Sequence, residues 1–357
     1  MAIVVGALAP RFVCPTTSNP RFVSASFGGR YILLGFLPTD GEARREALGR
    51  LADNRALFDD AKMSAFGVLR DEAAIAMARD QAGLRWFLDR DGAVSRLFEA
   101  LTAECEARPR WVLLDPAECV LATAEIDKAD ELFALVRALP APADHAGVPL
   151  HAPVLIAPRI FDADLCRRLI AYYEADGGTP SGVMREIDGK TVGVLDNYKK
   201  RRDTMITDPD LARETRDALT TRLLPQIQKT FQFKVGFIER YMVACYDAAD
   251  GGYFLPHRDN TTAGTAHRRF ACSINLNAEA FEGGDLRFGE FGPKTYRPPT
   301  GGAVVFSCSL LHEATPVTTG RRYAFLPFFY DESGAAIRSA NLATFQNDAP
   351  AEVAAEA

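Results

Sequence analysis

The stretch LPAPADHAGVPLHAP at 139–153 is rich in Pro and Ala and carries neither a helical nor a strand period, so no packed element is expected to cross it. It reads as a seam, with a linker at 146–153 separating a domain over 1–145 from a second over 154–345. A chain of 357 residues is also long for one hydrophobic core. The acidic, Ala-rich residues 346–357 are expected to form a flexible tail.

The two halves differ in texture. Upstream of the seam, YILLGFL at 31–37 is a short apolar run of the kind a strand shows when both its faces are buried. Helical spacing over 42–62 brings Leu48, Leu51, Leu57 and Phe58 near one face. A strand at 65–69, a helix at 72–81, a strand at 110–114 and a helix at 129–139 follow. This alternation predicts an α/β domain whose sheet is covered on both sides, with Trp86 and Trp111 in its core or at its edge.

Downstream, Asp162 can cap a helix bearing Leu165, Leu169 and Ile170, and Asp208-Pro209 opens another with Leu211, Leu219, Leu223, Ile227 and Phe231. After Phe231 come the short segments VGFIERYMVACY, RRFACSINLN, GDLRFGEF, GGAVVFSC and RRYAFLPFFY, separated by Gly- and Pro-containing turns. Helices followed by many short strands predict a double-stranded β-helix, or jelly roll, with supporting helices.

Bulk properties narrow the function. A net charge of −6 argues against a nucleic-acid or acidic-membrane partner. No apolar run approaches the ~18 residues that cross a bilayer, and the opening residues carry no basic leader. The cysteines at 14, 105, 119, 166, 245, 272 and 308 are scattered, with no CxxC, which suits reduced thiols in a cytoplasm.

The chemistry is carried by three residues of the second half. His257 and Asp259 stand two apart in PHRDN, so on extended chain they project to one side, and His312 lies at the end of GGAVVFSCSLLHE. Two imidazoles and one carboxylate on one face of an octahedral ion leave three positions open, the facial triad of non-haem iron(II) oxygenases. HxD alone is a weak motif; more telling is HEATPVTTGRRYAF, which sets paired arginines on the next strand. One guanidinium there can clamp a carboxylate through a bidentate fork. Alternation lets only one face inward, and with Gly320 as the turn that residue is Arg322, followed on the same face by Ala324, Leu326 and Phe328.

With those residues in view, 241–330 resembles the catalytic core of the prolyl 4-hydroxylase-like 2-oxoglutarate dioxygenases, a group that includes the oxygen-sensing prolyl hydroxylases. The matching stretches are MVACY at 242–246, HRDN at 257–260, GGDLRF at 283–288, HEATPV at 312–317 and RYA at 322–324. The resemblance implies His257, Asp259 and His312 as iron(II) ligands, Arg322 as the 2-oxoglutarate anchor and Tyr246 in the co-substrate pocket. Where the oxygen-sensing members have a tyrosine beside the anchor, this chain has Asn275. Iron(II), 2-oxoglutarate and O2 are the implied cofactor and co-substrates, with ascorbate as an accompanying reductant. The implied reaction is hydroxylation of an unactivated carbon, with succinate and CO2 released, in a prolyl or other amino-acid residue, a free amino acid or a small metabolite.

The first half resembles the peroxiredoxins of the thioredoxin fold, through GALAPRF at 6–12, YILLGFLP at 31–38 and PRWVLLDP at 109–116. In that family a thiolate sits at the start of the helix after the first of these strands, but here no cysteine lies between Cys14 and Cys105. The domain is therefore expected to be non-catalytic, serving docking, substrate presentation or a homodimer contact.

His145, His151 and His267 read as solvated histidines. The run Lys199-Lys200-Arg201-Arg202 is in most cases a solvated face; as part of a substrate pocket, with Arg201, Arg202 and Phe328, it would favour an acidic or C-terminal carboxylate substrate. Two alternatives stand beside an active dioxygenase: a sensor that binds iron and 2-oxoglutarate, and a bifunctional thiol peroxidase. A complete triad with an anchor arginine favours the enzyme.

Overall fold

A computed structural model describes residues 3–39 and 41–345 and the strand Glu352–Ala354. The chain forms two compact units, Met1–Ala152 with Gly289–Pro293, and Pro153–Phe288 with Lys294–Ala357. The expected flexible tail lies outside the described residues except for Glu352–Ala354, which pairs antiparallel with Phe237–Glu239.

The first unit is built on a five-stranded sheet in the order Leu84–Leu88, Met63–Leu69, Tyr31–Phe36, Arg110–Leu114, Val120–Glu125. The first three strands are parallel and the last two join antiparallel, a thioredoxin-like layout. The apolar run at 31–37 is explained by burial on both faces. Leu33 packs with Ala65, Trp111 and Leu113 beneath the helices Gly41–Asp53 and Asp130–Ala138. Ile32 and Leu34 pack on the other side with Phe66, Phe87, Phe98 and Val112. Each such side chain contributes about 1.5–3 kcal/mol when fully buried. Trp111 is fully buried, and it fits because Gly35 opposite has no side chain: a Cβ there would meet the indole at 2.5 Å.

The second unit is a double-stranded β-helix with supporting helices. Its larger sheet runs Phe237–Glu239, Phe328–Tyr330, Phe270–Asn275, Val317–Phe325, Met242–Asp247, Arg202–Met205, Thr179–Pro180. The smaller runs Lys199–Lys200, Tyr253–His257, His312–Ala314, Leu286–Arg287, Thr295–Tyr296. Alternation along Met242–Asp247 divides the core. Val243 and Cys245 meet Leu165, Leu169, Leu219, Leu223 and Ile227 of the helices, whereas Met242, Ala244 and Tyr246 turn inward with Phe281 and Ala314.

Both helix starts have physical caps. Asp162 accepts from Leu165 N at 2.9 Å, and Asp208 accepts from Leu211 N at 2.9 Å with Pro209 in the first turn. The second helix is not continuous to Phe231. Pro225 has no N–H to give back along the helix, and ahead of it the chain widens into a π turn at Leu219–Leu223. Among the described residues no helix is long and apolar enough to cross a membrane.

Candidate metal and co-substrate site

His257 ends one strand of the smaller sheet and His312 begins its neighbour, and the two are register partners across the pair. Asp259 follows two residues later, its backbone N–H held by Cys308 O at 3.0 Å. One donor atom from each of the three lies within 4.8 Å of the others. The carboxylate oxygens stand 3.6 Å from His257 Nε2 and 3.3 Å from His312 Nε2, close enough to close on one ion with bonds of about 2 Å.

The rings are oriented by their own chain. His257 Nδ1 donates to Leu255 O at 2.8 Å and His312 Nδ1 donates to Leu310 O at 3.1 Å. With the proton committed to Nδ1, each Nε2 presents a lone pair, the form that binds a metal. Burial, reinforced by the neighbouring His312, holds His257 well below the usual imidazole range. Phe254 stacks on His257 with ring centres 3.4 Å apart, and Phe306 lies 4.5 Å from His312. Both rings pack directly on the donor imidazoles and make their surroundings less polar, which strengthens their attraction for a cation.

Arg322 enters from the larger sheet, on Val317–Phe325, as register partner of Tyr246. It is 2% exposed. Its Nη2 donates to Ser273 Oγ at 2.8 Å, while Nη1 is buried without a hydrogen-bond partner among the described residues. No carboxylate there forms an ion pair with it, and burial pulls its pKa below the usual guanidinium range. A buried guanidinium in this state is a ready receptor for an anion. Arg321 points the other way and pairs with Asp247 at 2.7 Å. The stem of Arg322 lies against Gly284, where φ is +67° and a Cβ would stand 3.2 Å from Arg322 Cδ and 2.8 Å from Val317 Cγ2. GGDLRF therefore supplies a turn that only glycine fits well.

The remaining expected residues divide. Tyr246 is buried, with Arg322 Cζ 5.1 Å from its ring centre and Arg201 Nη1 donating to its hydroxyl at 3.4 Å. Asn275 faces the same interior, but its amide donates to Pro298 O at 2.9 Å; Ser273, two residues earlier, meets Arg322 instead. Phe328 carries Arg268 at 4.0 Å and Arg240 at 5.1 Å from its ring centre. Arg202 does not join the pocket. Its partner Cys245 faces the helices, and its guanidinium donates to Gly177 O at 3.1 Å and Gly178 O at 2.6 Å, carbonyls left open where Ala163–Asp176 ends.

His267 is not solvated as expected. It is 1% exposed and bonded through Nε2 to Glu239 Oε2 at 2.7 Å, and Arg268 pairs with the same carboxylate at 2.5 Å. Sequence reasoning also missed Ser273 and the pairing of Arg201 with Asp203. The RxD spacing at 201–203 was the available signal for the last of these.

Residues 241–330 match the 2OG-Fe(II) oxygenase superfamily. A PKHD-type hydroxylase of Synechococcus sp. (strain JA-2-3B'a(2-13)) is 26% identical over 112 residues, which is 29% of this chain and 49% of that protein; the chain thus spans about half the length of this relative. The crystal structure of a Pseudomonas putida prolyl-4-hydroxylase covers 53% of this chain and 96% of its own, at 20% identity and a TM-score of 0.40. The reduced 2-Cys peroxiredoxin of Plasmodium vivax covers 38% of this chain and 94% of its own, at 19% identity and a TM-score of 0.32.

Proposed function

We propose, from the 2OG-Fe(II) oxygenase domain that the second unit carries, that the protein is an iron(II)- and 2-oxoglutarate-dependent dioxygenase. It hydroxylates an unactivated carbon of an amino-acid residue, a free amino acid or a small metabolite. The observation that carries this reading is the pairing of an open three-donor cluster with a buried arginine that lacks a carboxylate partner among the described residues.

His257, Asp259 and His312 would hold the metal, and two neutral imidazoles with one carboxylate suit iron(II). Arg322 would take the distal carboxylate of 2-oxoglutarate, with Ser273 fixing one arm of its fork and Tyr246 covering its face. Iron(II), with 2-oxoglutarate and O2, would supply the oxidising power: 2-oxoglutarate would give two electrons and leave as succinate and CO2, the substrate would give the other two, and ascorbate would serve only to restore iron(II) after an uncoupled turnover. Phe254 and Phe306 pack against the two imidazoles and help fix their orientation. Anaerobic reconstitution with iron(II), followed by oxygen and measurement of succinate, tests the reading.

The first unit is assigned a supporting role. Cys14 is 3% exposed, and burial pushes its thiol up to about 12, the reverse of what a peroxide-reducing thiolate needs. Cys105 is exposed but lies in a turn before Arg110–Leu114. Neither sits at the start of Gly41–Asp53.

A further inference from the structure

Beside the co-substrate pocket lies a second group of cations that the reading above leaves without a task. Lys199 is register partner of Phe254, and its Nζ stands 4.9 Å from that ring centre. Phe254 in turn stacks on His257, so the ammonium and the three-donor cluster share one aromatic neighbour. Lys199 Nζ donates to Ser181 Oγ at 2.8 Å and to Gly182 O. Arg201 Nη2 reaches the same hydroxyl at 3.3 Å, and Arg201 Nη1 reaches Tyr246 Oη at 3.4 Å. Tyr246 thereby links this group to Arg322.

Charge in this region is unbalanced. Arg201 and Arg240 lean on a single carboxylate, Asp203, at 2.7 Å and 3.9 Å. Lys199 has no carboxylate at ion-pair distance among the described residues, although it is only 9% exposed. With Arg322 committed to the co-substrate and Arg201 offset by Asp203, Lys199 and Arg240 remain as buried charge. Such charge is costly unless an anion meets it. Burial and the nearby Arg201 push Lys199 well below the usual amine range, an effect an incoming anion would reverse.

Ser181 sets the direction. A hydroxyl has two acceptor sites and one proton. Its acceptor sites are taken by Lys199 and Arg201, so its proton is left to donate, and Ser181 is half-buried whereas Lys199 is buried. We propose that Lys199, Arg201 and the Ser181 hydroxyl form an anion site that takes a carboxylate of the substrate itself. A carboxylate matches the donors: one oxygen for Lys199 and Ser181, the other for Arg201. The substrate class is then a free amino acid or a chain-terminal residue carrying its α-carboxylate. The inference rests on the oxygenase reading and specifies its substrate.

The test uses the full chain loaded anaerobically with iron(II) and 2-oxoglutarate. L-proline and its amide are titrated by calorimetry, and a proline-terminated tripeptide is compared as acid and amide. The acid of at least one pair should bind about ten-fold or more tightly than its amide. Preference confined to L-proline indicates a free amino acid, and preference shared by the tripeptide a chain terminus. Lys199→Gln should abolish the preference, Lys199→Arg retain it, and Lys200→Gln, on an exposed neighbour, leave it intact. Should Lys199→Gln fail to fold, Ser181→Ala replaces it and should weaken acid binding several-fold. Acid and amide binding alike, binding of neither, or an acid preference left undiminished by the Lys199→Gln or Ser181→Ala change overturns the inference. Iron binding and succinate formation without substrate are measured in parallel on the unaltered protein. Their loss refutes the oxygenase reading, whereas their presence without an acid preference refutes this inference alone.

Discussion

Arg322 rests one arm of its guanidinium on the hydroxyl of Ser273 at 2.8 Å, while its other terminal nitrogen is buried with no acceptor among the described residues. Ser273 thus orients a cation without neutralising it. The charge stays available for a ligand, as a co-substrate anchor requires.

Replacing this charge should show directly in the co-substrate requirement. Truncating one partner of a buried, hydrogen-bonded charge pair costs about 2–5 kcal/mol. Arg322→Ala should therefore raise the 2-oxoglutarate concentration for half-maximal succinate formation by about 30-fold or more. Arg321→Ala, which removes an exposed pair with Asp247, should change it by less than about three-fold. Equal effects in the two variants would contradict the inward placement of Arg322.

Gly284 should be nearly as sensitive, though it carries no functional group. Its φ of +67° and the 2.8 Å and 3.2 Å approaches of Val317 and Arg322 leave no room for a methyl group. Gly284→Ala should lower stability by about 1–3 kcal/mol and raise the 2-oxoglutarate requirement as the Arg322 stem shifts. Denaturant unfolding and substrate-dependence curves measure the two effects separately. A variant unchanged in both would show that the turn can relax.

The carboxylate of Glu239 holds together His267 and Arg268 in the barrel interior, and burial of all three makes the cluster unforgiving. Glu239→Gln leaves Arg268 without its counter-charge and should destabilise the protein by about 3–5 kcal/mol. Urea unfolding with a two-state fit of the second unit would test this. A change below about 1 kcal/mol, the scale of an exposed pair, would mean the cluster is solvated.

The first unit should lack thiol peroxidase activity. The full chain, incubated with peroxide and a dithiol reductant, should consume peroxide no faster than a chain in which Cys14, Cys105 and Cys119 are all serine. Rapid consumption abolished by Cys14→Ser or Cys105→Ser would make the protein bifunctional.

Much of the site was legible because its parts are local. HxD on extended chain and alternation through Arg321-Arg322 each fix a side-chain direction within a few residues, whereas His312, expected at the end of the strand GGAVVFSCSLLHE, begins a new strand, His312–Ala314, after Ala303–Ser307 has ended. What escaped depends on distant pairing. Ser273 becomes a partner of Arg322 only through the sheet. Arg202 seemed to belong with Arg201, yet strand alternation sends it to carbonyls at a helix end. His267 looked solvated because its partner Glu239 lies on another strand. In the fold, YILLGFL revealed its strand because both faces are buried, whereas the edge strands Leu84–Leu88 and Val120–Glu125 are half-exposed and gave no apolar run. The hairpin Val183–Ile187 with Lys190–Val194 was missed although its turn, Asp188-Gly189, has φ of +49° and +72° and is a strong hairpin signal.

The central claim is that His257, Asp259 and His312 hold iron(II) for 2-oxoglutarate turnover, and anaerobic iron binding with paired succinate measurement tests it most directly. The unaltered protein should bind one iron(II) and, on admission of oxygen, convert 2-oxoglutarate to succinate. Asp259→Ala and His257→Ala should lose both while keeping the circular dichroism of the unaltered fold. Full iron binding and succinate formation in either variant would contradict the assignment.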